Sequence, residues 1–183
     1  VRKIKNFLSD FDVLSCRETV GANILSSITQ REIPIVLDPV FLLNAEEWDT
    51  IARKPKFHKK YIFVYDLNGG KELLSIAQKI ANKTGLDIIC QTQKPLAYYK
   101  NTKMIFSAGP KEFLGYMQEA EYVVTDSFHG TAFAILFNKP FYSYIATPYA
   151  ASRIISILNS LNLQDFLIEY NKVNEFEFRH TNI

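Results

Sequence analysis

Short apolar, β-branched runs alternate along this chain with amphipathic helical stretches, and that alternation limits the fold more than any other feature. Residues 61–65 (YIFVY) are apolar throughout, the pattern of a strand covered on both faces of a parallel sheet. Residues 71–84 then set Leu73, Leu74, Ala77 and Ile80 on one helix face, with Gly85 where a C-cap belongs. The same grammar repeats. Strands are predicted over 86–90 (LDIIC), 104–106, 122–125 (YVVT) and 140–145 (PFYSYI), and helices over 110–119, 127–137 and 152–161. Pro110 opens its helix at the first position, where a missing N–H costs nothing. Upstream, 1–10 reads as a helix, 11–15 (FDVLS) as a short strand, 18–30 as a helix and 33–37 (IPIVL) as a strand. Residues 45–53 read as a helix capped by Asn44, 166–168 as a weak element, and 175–179 receive no assignment. Alternation of this kind predicts βαβ units with right-handed crossovers. The expected fold class is therefore α/β, a Rossmann-like parallel sheet sandwiched by helices, as one domain over residues 1–183. Ligands of such sheets bind beyond the carboxyl ends of the strands.

What the chain lacks narrows its function. Its seven glycines form neither G-x-G-x-x-G nor a P-loop, so the usual dinucleotide and NTP cradles are missing. Cys16 and Cys90 make no C-x-x-C pair and the three histidines no H-E-x-x-H, so no metal site is expected. Two lone cysteines fit a reducing compartment, and the expected location is cytoplasmic. No apolar run approaches the ~18 residues of a membrane span, and no apolar stretch follows the charged start as in a signal peptide. A net charge of +2 gives no basic field for nucleic acid. The chain opens on Val1 rather than Met, which reads as the edge of a piece of a longer protein.

Chemistry is densest over 123–142 (VVTDSFHGTAFAILFNKPFY). A strand ends at Thr125, and Asp126, Ser127, His129, Gly130 and Thr131 crowd the turn into the next helix. The N–H groups and positive end of that helix suit an anion, Gly130 lets a ligand come close to the backbone, and His129 titrates near neutral pH. A plainer reading stands beside this one: Asp126 or Ser127 caps the helix, and His129 donates to a nearby carbonyl. Trp48 and the pair Tyr98 and Tyr99 offer rings for stacking on sugar, although Trp48 equally suits a half-buried helix position.

The segment TDSFHGTAFAILFNKPF closely resembles the signature of the polysaccharide pyruvyl transferase family. LSCRETVGANIL (14–25), VLDPVFLLNAEEW (36–48), SAGPKEFLGYMQEAEYVVTDSFHG (107–130) and SRIISILNSLNL (152–163) are similar to further family blocks in the same order. The resemblance runs from about residue 11 to about residue 168. It implies one half of a GT-B-like two-domain enzyme, this chain being the C-terminal half and the N-terminal domain being absent. It also implies transfer of the enolpyruvyl unit of phosphoenolpyruvate to a sugar, free or lipid-linked, forming a pyruvate ketal, with no cofactor.

By the same resemblance His129 matches the family's histidine, with Ser127 and Phe128 in the two positions before it. Some relatives carry Arg at the Ser127 position, where it is thought to hold the donor, so here the cation must come from elsewhere. Arg17, matching the Arg after the first strand, and Arg153, before the last helix, are the candidates, because a guanidinium grips phosphate and carboxylate bidentately; the plainer readings are a salt bridge from Arg17 to Glu18 or Asp38 and a surface or capping role for Arg153. The resulting expectation is His129 as acid, base or phosphate donor. Arg17, Arg153, Ser127, Phe128, Gly130 and Thr131 would bind substrate, and Asp38 would be a turn former that orients Arg17. Two rivals remain: a GT-B glycosyltransferase using a nucleotide sugar, for which Glu169 is a poor ribose ligand, and a non-catalytic sugar- or phosphate-binding module. The chain alone is expected to bind donor weakly and to transfer nothing.

Overall fold

A computed structural model describes residues 2–94, 101–146 and 148–179. Six parallel strands form one sheet: β1 (Tyr61–Asp66), β2 (Asp87–Thr92), β3 (Thr102–Ile105), β4 (Tyr122–Thr125), β5 (Phe141–Ile145) and β6 (Leu167–Glu169). Their order is β3-β2-β1-β4-β5-β6, and every neighbouring pair is parallel. The chain winds outward from β1 in one direction and then from β4 in the other. The sheet therefore reverses between these two strands, where the crevice of a doubly wound sheet opens. Their register, Ile62 beside Tyr122 through Tyr65 beside Thr125, brings both carboxyl ends to the same level.

Helices cover both faces, as the alternation predicts. Helix α4 (Lys71–Thr84) buries Leu73, Leu74, Ile76, Ala77, Ile80 and Ala81 against Ile62, Val64, Ile88 and Val124. It stops at Gly85, whose φ of 74° lies in the left-handed region and whose N–H donates to the Ala81 carbonyl. The opposite face carries α5 (Pro110–Glu119), α6 (Phe128–Leu136) and α7 (Pro148–Ser160), which pack on Phe63, Val123 and Phe141. Pro110 stands at the start of α5 and Asn44 caps α3 (Ala45–Asp49), both as expected; Glu47 completes a capping box there, and the helix ends at Asp49 rather than at the expected residue 53. In α7 the inward residues are Ala151, Ile154, Ile157 and Leu158; Leu161, the last residue of the helix expected over 152–161, lies past the helix end and is 42% exposed. The unassigned residues 175–179 run as irregular chain held by Lys79, whose Nζ donates to the carbonyls of Val173, Asn174 and Phe176.

Residues ahead of α3 differ most from expectation. Helices α1 (Arg2–Ser9) and α2 (Thr19–Thr29) form, but the two strands expected over 11–15 and 33–37 reduce to a single parallel bridge between Cys16 and Ile35. Cys16 N–H donates to Pro34 O and Val36 N–H to Cys16 O, and the ladder ends there. Two short parallel segments without a third strand beside them have too few ladder bonds to extend. Val13, Ile35, Val36 and Leu37 stay exposed in consequence. Among the described residues no helix is long and apolar enough to cross a membrane.

Candidate functional site

The turn from β4 into α6 is built by hydroxyl groups. Thr125 lies buried at the strand end; its Oγ1 donates to Tyr65 O at 2.8 Å and accepts from Ser127 N–H at 3.0 Å. Ser127 is the N-cap of α6, its Oγ accepting from Gly130 N–H at 3.3 Å. Thr131 Oγ1 donates to Ser127 O and bonds Ser143 Oγ at 2.7 Å, which ties the first turn of α6 to β5. A Cβ on Gly130 would stand 2.3 Å from Thr125 Oγ1, so glycine is needed there because the helix start presses on the strand end. Ser127, Gly130 and Thr131 are thus inside the turn and spend their polar groups on one another. The space expected for a ligand at Gly130 is filled by Thr125, which corrects the expectation for that residue. For Ser127 the plain capping reading describes the geometry.

The groups that face outward are different ones. Phe128 is 6% exposed, and the guanidinium groups of Arg17 and Arg153 stand over its ring at 5.1 and 5.6 Å from the centroid. The His129 ring meets the same phenyl ring edge to face, 5.4 Å between centroids. His129 is half open to solvent, 49% exposed at the side chain, and its Nε2 lies 4.0 Å from Asp38 Oδ2. Asp38 is buried; it accepts from the Arg17 guanidinium and from Val40 N–H at 3.1 Å, capping the short turn Pro39–Leu42. One buried carboxylate therefore serves Arg17 and stands beside His129, while all three basic side chains contact the Phe128 ring. A cavity of about 160 Å³ beside Arg17 is lined by Leu37, Asp38, Phe128 and Ile157 among others. Larger hollows, about 680 and 590 Å³, lie along the C-terminal segment and α4 and share no residue with this group.

The electrostatics follow from the packing. Burial lowers the His129 pKa below the ordinary histidine value; Asp38 pulls it up, Arg17 and Arg153 push it down, and the lowering wins. Burial alone would raise the Asp38 carboxyl, but the Val40 N–H, the bonded Arg17 and the neighbouring His129 together hold it below the usual value. His129 thus favours its neutral form beside two guanidinium groups, and a bound anion would offset those charges.

A second polar group occupies the reversal point of the sheet. Asp66, buried at the end of β1, accepts from Gly69 N–H at 2.7 Å and Thr92 Oγ1 at 2.9 Å. Asp126 accepts from Leu67 N–H, Asn68 N–H and Asn68 Nδ2, and burial raises its pKa despite these donors. Asp126 therefore clamps the loop after β1 and does not cap α6, an arrangement invisible without knowing that β1 and β4 are neighbours. Trp48 takes its half-buried role, Nε1 donating to Val40 O and the ring packing edge-on against Phe133. Tyr98 and Tyr99 lie outside the described residues. Glu18 and Ser152, hydrogen-bonded to each other, stand next in the chain to the two arginines, and Ser152 is a site neighbour that the sequence does not reveal.

The family model for polysaccharide pyruvyl transferase matches residues 1–147. The chain belongs to the polysaccharide pyruvyl transferase family. The match takes in Arg17, Asp38 and the whole β4–α6 turn, and it ends before α7, which carries Arg153. Comparison with curated proteins finds no match. Among solved structures, a putative UDP-N-acetylglucosamine 2-epimerase from Listeria monocytogenes is similar at 13% identity and a TM-score of 0.50, covering 84% of this chain and 51% of that one. A UDP-GlcNAc 2-epimerase from Methanocaldococcus jannaschii aligns at 21% identity and a TM-score of 0.48, over 72% of this chain and 44% of that one. The wall teichoic acid polymerase TagF aligns at 15% identity and a TM-score of 0.44, over 95% and 52%. The chain thus spans about half the length of the solved structures it matches. At 13% identity and a TM-score of 0.50 the Listeria likeness concerns the fold alone, and it agrees with the Rossmann-like sheet described above.

Proposed function

We propose that this chain supplies the donor-binding half of a transferase that moves the pyruvyl unit of phosphoenolpyruvate onto a sugar of a polysaccharide or its precursor. The observation that carries the reading is the convergence of Arg17, His129 and Arg153 on Phe128, with buried Asp38 behind them. Phosphoenolpyruvate carries a phosphate and a carboxylate within a few ångströms, and two guanidinium groups suit that pair. A Rossmann-like domain of this kind, the C-terminal part of a longer cytoplasmic protein, would face an N-terminal domain across a cleft that takes the sugar, free or lipid-linked. No cofactor enters the scheme.

The chemistry balances without a redox partner. A proton goes to the methylene carbon, leaving an oxocarbenium-like centre at the carbon bearing phosphate. One sugar hydroxyl attacks it and loses its proton. A second hydroxyl displaces phosphate, which leaves with one proton, and the ketal closes. His129, whose pKa burial and the two arginines hold down, gains a proton more readily once the anionic groups of the bound donor offset Arg17 and Arg153, and so becomes the acid. Replacing His129 by Ala is then expected to abolish nearly all transfer in the full-length enzyme.

Isothermal titration tests the reading with three ligands. Binding of phosphoenolpyruvate, lost in Arg17→Ala, is the expected result. Binding of a UDP- or GDP-sugar in its place would favour a glycosyltransferase, and binding of glycan alone a non-catalytic module.

A further inference from the structure

Glu18 stands at the N-cap of α2, yet its side chain makes no capping bond to its own helix. A carboxylate at a helix start ordinarily accepts from the first-turn N–H groups and gains from the helix dipole. Here it accepts instead from the hydroxyl of Ser152, 134 positions away in α7. The two bonded residues are the immediate neighbours of Arg17 and Arg153, the pair of cations above the Phe128 ring. No other hydrogen bond described here joins the start of α2 to α7. Asp38 fixes Arg17 through a separate ion pair, and its bonded partners, Arg17 and Val40, both lie outside α7.

From this arrangement we infer that Glu18 is a positioning residue: through Ser152 it sets the span between the guanidinium groups of Arg17 and Arg153, and with it the anion the site accepts. The inference rests on the reading of these arginines as the donor cradle. A ligand with two anionic groups needs both cations at a set distance, whereas a single phosphate needs one. Loss of the Glu18–Ser152 bond frees α7 to shift against α2. It therefore penalises the two-headed ligand and spares the one-headed one.

Three variants separate the bond from the charge. Glu18→Ala and Glu18→Gln lose the same charge, but only the glutamine keeps an acceptor for Ser152; Ser152→Ala loses the bond and keeps the charge. In titrations of the chain, phosphoenolpyruvate should weaken about tenfold in Glu18→Ala and Ser152→Ala, the worth of one charge-assisted bond. Inorganic phosphate should weaken less than about threefold in both. Glu18→Gln should restore phosphoenolpyruvate binding to near the unaltered level. Arginine side-chain N–H resonances of the ligand-free protein give a second readout: those of Arg17 and Arg153 should move together in Glu18→Ala and Ser152→Ala and stay in place in Glu18→Gln.

Equal weakening of both ligands, or no weakening of either, would overturn the positioning role. Failure of the unaltered chain to bind phosphoenolpyruvate would instead defeat the donor reading. The resonances then decide the positioning role alone, and fixed Arg153 signals in Glu18→Ala count against it.

Discussion

Replacing Asp38 by alanine tests how the site is held together, because one buried carboxylate stands behind two of its three basic groups. The substitution removes the cap on Val40 N–H, a loss of about 1 kcal/mol. It also strips Arg17 of its partner. Breaking a fully buried ion pair costs roughly 3–5 kcal/mol, but the Arg17 side chain is 34% exposed and water takes up part of the deficit. Discounted for that screening, the ion-pair loss is about 1–2 kcal/mol, and the total is about 2–3 kcal/mol. For a chain of this size that lowers Tm by roughly 5–10 °C, measurable by thermal circular dichroism. A second signal comes from His129. Asp38 is the group that holds its pKa up against burial and the two arginines, so in Asp38→Ala the imidazole should titrate lower still, read from its ring proton shifts. A variant with Tm within about 2 °C of the parent and an unmoved His129 titration would show that Asp38 supports neither partner.

Other consequences follow from the same geometry. Gly130→Ala forces a Cβ against Thr125 Oγ1, and overpacking of about 1–3 kcal/mol should outweigh the helix-propensity gain of about 1 kcal/mol, lowering the urea midpoint. An unchanged midpoint would mean that the turn is looser than it looks. Burial pushes the Cys90 thiol up to about 12, so iodoacetamide at pH 8 should label the partly exposed Cys16 and leave Cys90 unmodified until the chain unfolds. His129 has a folded pKa below its unfolded value, so the unfolded state binds the proton more tightly. Its contribution should lower stability as pH falls through the ordinary histidine value, an effect that His129→Gln removes in urea titrations at pH 7 and pH 5.

How far the sequence reaches depends on where each contact lies. Within one element the pattern is enough: Gly85, Pro110 and the Asn44–Glu47 box act on neighbours in the chain and stand where their residue types put them. The parallel sheet follows from runs such as 61–65, since an all-apolar strand needs cover on both faces. The strands expected over 11–15 and 33–37 show the limit: their residues favour extended chain, but a strand is made by its partners, and here each finds only the other. In the β4–α6 turn, types alone identified hydroxyls and a glycine but not their direction. Only the packing of Gly130 on Thr125 shows that Ser127, Gly130 and Thr131 point inward and that His129 points out. The Asp38 contact to Arg17 is expected from the sequence, but Asp126 on the Asn68 loop and Glu18 on Ser152 join segments 58 and 134 positions apart. No local spacing encodes such pairs.

The central claim is that Arg17, His129 and Arg153 form one anion site for phosphoenolpyruvate. Following the His129 ring protons by NMR across pH, with and without saturating phosphoenolpyruvate, tests it most directly. The account predicts a pKa below the ordinary histidine value in the free chain and a clear rise on binding, as the ligand offsets the two arginines. A His129 titration that stays the same with phosphoenolpyruvate, in a chain that remains folded, would contradict it.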